Sequence, residues 1–254
     1  MTNNVLRYII PPKYGENGPI IEALNLIILL HKESDQSKEI TLLIPTKSQL
    51  DGTVIDASLG SSECKSLSSG QKVNVTDSLS LKCETIRTFK SYSHTDIILC
   101  VFPSEKMLDL VDSMDGLEIA IIVPWFDEDA DKWKKTWNPV VLGEIPSEPE
   151  YLIDNPVVEE AMKKLTKRVN LSTGLSHPRD KGAAVEILRI LRNNGENFNP
   201  DALKAWALRN GWIPKGAEDL RIYAQAIIER KPIRGDSNAW NPNIINILRE
   251  SAGK

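Results

Sequence analysis

Short, almost wholly apolar runs recur along the first 145 residues, separated by stretches with helical spacing. Residues 5–10, 40–44, 96–102 and 118–123 read as strands, and 140–142 as a short last one. They lack strict apolar/polar alternation, as strands covered on both faces of a parallel sheet do. Between them, 19–32 carries apolar side chains on nearly every face and predicts a buried helix. Residues 104–114 and 127–137 predict two more. The second opens on Asp127, Glu128 and Asp129 and closes on Lys134 and Lys135, the polarity that the helix dipole favours. A short helix is expected over 48–59 with Ser48 as its cap, although Gly52, Thr53, Val54 and Ile55 lower its propensity.

Residues 60–92 interrupt this order. Ser, Gly and Lys dominate 60–72, then 73–75 and 79–81 alternate about Thr76-Asp77-Ser78 as a hairpin or antiparallel edge. Residues 85–89 read as another extended piece. The predicted class is α/β: a doubly wound, Rossmann-like, mainly parallel sheet over 1–145 with an inserted β-hairpin. Four strands run directly into proline, at YIIPPK, LLIPTK, CVFPSE and IIVPWF. Proline lacks a donor and stops ladder pairing, so each should mark a strand's C-terminal end. In a parallel sheet those ends share one edge, where open α/β folds bind ligands.

Residues 146–156 form a proline-rich linker, and 157–254 read as a smaller all-helical domain. Helices are expected over 157–168, 180–193, 200–209, 215–229 and 242–249. Asn199-Pro200 supplies a cap and a first-turn proline, and Asn194-Gly195 and Asn210-Gly211 supply stops. The segment 199–231 has the outline of a helix-turn-helix, with Trp206, Trp212 and Tyr223 as core fillers.

Charge divides along the same boundary. Residues 1–150 hold 14 Lys/Arg against 23 Asp/Glu, a net −9, and residues 151–254 hold 17 against 12, a net +5. Two surfaces with different partners are the natural reading. Hydrophobic residues at 41% and charged residues at 26% are ordinary for a chain that folds. The N-terminus lacks a signal-peptide pattern and no run reaches membrane-spanning length, so cytoplasm is the expected location. Three cysteines in no CxxC spacing argue against a disulfide framework or a zinc site.

No GxGxxG, GxxxxGK[ST] or GxSxG occurs. Neither a catalytic residue nor a cofactor is assigned. The candidate ligand site lies along the proline edge: Lys13, Tyr14, Lys47, Ser104 and Trp125. The lysines suit a small anionic ligand and the aromatic rings a base or peptide, although Ser104 is equally explained as a helix cap. Trp133 and Trp137, one helical turn apart, read as core. In the helical domain, Lys163, Lys164, Lys167, Arg168, Lys215 and Arg221 form the candidate nucleic-acid surface. The leading expectation is a non-catalytic binding or regulatory protein that recognises a ligand, a protein partner or itself. The alternatives are an enzyme for a phosphorylated or nucleotide-like substrate, using Lys13 and Lys47, and a DNA-binding protein.

Overall fold

The computed structural model describes residues 5–13, 16–32, 36–90, 92–146, 148, 152–235 and 238–253. The described residues fall into two compact units, one within Asn4–Pro149 and one within Glu150–Lys254. The first is α/β and the second all-helical. No helix among the described residues is long and apolar enough to cross a membrane.

Among the described residues, seven strands form one sheet: β1 (Leu6–Ile9), β2 (Lys38–Ile44), β3 (Val73–Asn74), β4 (Leu79–Thr85), β5 (Ile97–Val101), β6 (Ile119–Val123) and β7 (Val140–Val141). Their order is β3-β4-β2-β5-β6-β1-β7. All neighbours run parallel except β3, which pairs antiparallel with β4. The expected hairpin is real, and its second strand also joins the parallel sheet through β2.

Because side chains alternate, each central strand feeds two cores. Leu42, Leu99 and Ile121 face helices α1 (Gly18–His31), α2 (Val54–Leu59) and α3 (Ser61–Ser68). Leu43, Cys100 and Ile122 face α4 (Glu105–Asp112) and α5 (Asp131–Trp137). The sheet is thus doubly wound.

Three local expectations fail. The 48–59 helix is instead a 3-10 turn, Lys47–Leu50, followed by α2. Gly52 at φ +62 breaks the run, and Thr53 rather than Ser48 caps α2 by accepting from Ile55 N at 3.1 Å. Ser48 Oγ instead lies 2.7 Å from Thr46 Oγ1. The polar stretch after residue 60 holds α3, because Cys64 and Leu67 lie three residues apart and bury together. Residues 85–89 are a turn, with Phe89 N donating to Thr85 O at 2.8 Å and the Phe89 ring buried.

One polar cluster sits beneath α4 and α5. Trp133 Nε1 donates to Asp112 Oδ1 at 3.0 Å, and the Arg7 guanidinium stacks 3.7 Å from the centre of the Trp137 ring. Burial pushes the Asp112 carboxyl from 3.8 up to about 6, outweighing the Trp133 hydrogen bond and Arg7. Between those values the folded state binds more protons than the unfolded one. Rising pH therefore withdraws up to about 3 kcal/mol of stability, at 1.36 kcal/mol per unit. Asp112→Asn keeps an acceptor for Trp133 and escapes this penalty. Its melting temperature relative to the parent should move in the variant's favour between pH 4 and pH 7.5. A pH-independent difference would contradict the assignment.

The helical unit comprises α6 (Pro156–Thr166), α7 (Pro178–Asn193), α8 (Pro200–Arg209), α9 (Pro214–Ile228) and α10 (Ile244–Ala252). Four of them begin with proline in the first turn, where its missing donor costs nothing. Asn155, His177 and Asn199 cap α6, α7 and α8 through side-chain acceptors. His177 Nδ1 starts α7 two residues earlier than expected. Trp206 and Trp212 are buried.

Candidate functional site

The four proline-terminated strands are contiguous in the sheet, in the order β2-β5-β6-β1. Pro45, Pro103, Pro124 and Pro11 therefore follow one another along a single edge. Chain leaving β1 and β2 turns to the α1–α3 side, and chain leaving β5 and β6 turns to the α4–α5 side. Neighbouring connections diverge twice, between β2 and β5 and between β6 and β1. Such divergences open crevices at the carboxyl ends of the strands.

Between the two divergences stands an aromatic ridge. Phe102 directly follows β5, and its N–H extends the pairing by donating to Val123 O at 2.8 Å. Its φ is +54, a conformation that a bulky residue ahead of proline rarely adopts. Strain of this kind costs about 1–3 kcal/mol and gathers at functional sites. The Phe102 ring meets Trp125 edge-on at 4.8 Å, and Trp125 meets Phe126 edge-on at 6.4 Å. Phe102 rests on the core, whereas Trp125 is 37% and Phe126 45% exposed.

Acidic groups follow directly. Asp127 and Glu128 are exposed, and Asp129 Oδ2 accepts from Phe126 N at 2.9 Å, fixing the ridge to the 3-10 turn Asp127–Ala130. Trp133 and Trp137 pack into the α4–α5 core, as their spacing implies.

The other edge residues are dispersed. Lys13 Nζ pairs with Glu22 Oε1 at 2.6 Å, and Lys47 Nζ donates to Ser68 O at 3.1 Å. Their strands, β1 and β2, are three inter-strand steps apart, roughly 14 Å. Ser104 occupies the cap position of α4, but its hydroxyl makes no capping bond, contrary to the sequence expectation. Tyr14 lies outside the described residues. Of the described residues expected at this edge, Trp125 is the one on the ridge. Phe102 and Phe126 were missed, and the only signal for them was their position beside the proline junctions.

The three thiols are free and buried. Burial holds Cys64 up at about 11 and Cys83 at about 12, which makes them poor nucleophiles.

In the helical unit, most of the chosen cations are engaged internally. Lys163 pairs with Glu159 and Glu160, and Arg221 makes a bidentate pair with Glu218. Lys215 donates to Ser176 Oγ, and Arg168 lies over the Trp240 ring at 5.3 Å. Lys164 is half-buried and Lys167 exposed. The predicted α8-turn-α9 outline is present, but Glu218 and Asp219 sit on its second helix.

Residues 154–249, within the helical unit, match a family described as a domain of unknown function (DUF1889). No curated protein and no solved structure matches the chain.

Proposed function

We propose a non-catalytic binding or regulatory protein whose α/β unit docks a cation-bearing segment of a partner protein on the aromatic ridge. The observation that carries this reading is the exposure of Trp125 and Phe126, edge-on to one another, behind a strained Phe102. Aromatic faces attract guanidinium and ammonium groups, and exposed Trp is a frequent anchor of protein interfaces. Asp127 and Glu128, beside the ridge, and the net −9 of the first 150 residues add attraction of the same sign. Unpaired cysteines suit a reducing compartment, so we place the protein in the cytoplasm.

A small anionic ligand at this edge would have to draw Lys13 from Glu22 and Lys47 from the Ser68 carbonyl. The same cost weighs against an enzyme that grips a phosphorylated substrate with these two lysines. Internal ion pairs likewise weaken the DNA-binding reading of residues 199–231.

A short Arg/Gly peptide, titrated against the full chain at physiological salt, tests the proposal. Replacing both Trp125 and Phe126 with Ala should weaken binding about tenfold or more, as loss of an aromatic anchor does. Equal affinity in parent and double variant would overturn it.

A further inference from the structure

The C-terminal ends of α7 and α9 flank a half-open pocket of about 530 Å³ lined by Arg189, Arg192, Asn193, Ile227, Arg230 and Lys231. We propose that it binds a small ligand carrying two or more linked phosphates. Four cationic side chains converge there, and no carboxylate among the described residues lines it. The Arg189 guanidinium is held by neutral oxygens, Gly235 O at 3.2 Å and Ile233 O at 2.6 Å. Arg192 donates to Asn197 Oδ1 at 3.4 Å. Neutral partners orient these groups without cancelling their charge. Elsewhere in the unit, Lys163, Arg221 and Arg249 are all neutralised by glutamates. Among the described residues, Lys231 is the cavity cation with a carboxylate beside it, Glu229 at 2.6 Å.

Backbone geometry supplies the second observation. Helices α7, α8 and α9 each end in the same motif, a left-handed residue followed by a hydrogen bond reaching back five residues. The bonds are Glu196 N to Leu191 O, Trp212 N to Ala207 O and Lys231 N to Ala226 O. The left-handed residue is Gly195 in α7 and Gly211 in α8, as this conformation favours. In α9 it is Arg230, at φ +57. The helix dipole accounts for a cation near a helix end but not for an arginine where glycine is the unstrained choice. That side chain lines the cavity.

Guanidinium forks match adjacent phosphate oxygens two at a time. The cavity volume lies within the range of small-molecule sites. A nucleic-acid backbone would instead call for a charge track along the surface, and here the cations face one concavity.

The test is calorimetric titration of the full chain with inorganic tripolyphosphate, orthophosphate and a short DNA duplex at physiological salt. Tripolyphosphate should bind one site per chain, about tenfold or more tighter than orthophosphate. Arg192→Glu and Arg230→Gly should each weaken it about tenfold or more, while Lys163→Glu leaves it unchanged. Arg230→Gly should also melt no lower than the parent, since glycine relieves the left-handed strain. A loss of binding in this variant therefore cannot be ascribed to unfolding. Absence of saturable tripolyphosphate binding, or binding indifferent to both arginine variants, would overturn the site. DNA bound more tightly than tripolyphosphate would overturn the small-ligand assignment.

Discussion

Gly216→Ala should destabilise the helical unit by about 2 kcal/mol or more, although Ala is the better helix former. Gly216 lies in the first turn of α9 and is buried. A Cβ there would sit 2.8 Å from the Cα of Gly174, and a Cβ on Gly174 would sit 2.7 Å from the Cα of Gly216. The two backbones touch directly. In an exposed helix interior, Gly→Ala gains roughly 1 kcal/mol. Here the obstacle is main chain, which has no rotamer to change, so α9 and the loop carrying Gly174 must separate. Overpacking of this kind costs about 1–3 kcal/mol and displaces its neighbours. Gly174 is itself at φ +60, so a side chain there would add backbone strain to the clash. Urea denaturation followed by circular dichroism measures the loss. An unchanged or raised midpoint would mean that the two glycines are not in contact.

Trp212→Ala should cost about 4 kcal/mol in the same unit. The side chain is 4% exposed, and its Nε1 donates to Thr166 Oγ1 at 2.9 Å. That bond ties the end of α6 to the turn before α9. Removing a buried Trp leaves a cavity and typically costs about 3–5 kcal/mol. Trp212→Phe keeps most of the packing and loses the hydrogen bond, for about 1–2 kcal/mol. The order parent, Phe, Ala should therefore appear in the denaturation midpoints. Equal effects of Phe and Ala would show that the ring itself contributes little.

The strands of the sheet were legible because continuous apolar runs ending at proline have few other solutions. Their order was not, since β1 and β2 are adjacent in sequence yet separated by β5 and β6 in the sheet. Pairing at that distance leaves no local trace. Helix α3 hid inside a Ser-rich stretch, where only Cys64 and Leu67 mark the buried face. The ridge was half legible. Trp125 stands out beside its proline, but nothing in the letter Phe encodes the left-handed backbone of Phe102.

The basic surface shows the opposite failure. Lys163 and Arg221 stood out as cations, yet Glu159, Glu160 and Glu218 lie three or four residues away on the same helices, within reach to neutralise them. That signal was present in the sequence. The convergence of Arg189 and Arg192 with Arg230 and Lys231 was not, because it exists only once α7 packs on α9.

The ridge at the proline edge is the proposed docking surface. Nuclear magnetic resonance of the labelled full chain during titration with the Arg/Gly peptide tests it most directly. Shifts should concentrate at the Trp125 indole and at backbone amides of residues 102, 104 and 125–131. Those resonances staying fixed while the peptide saturates elsewhere on the chain would contradict it.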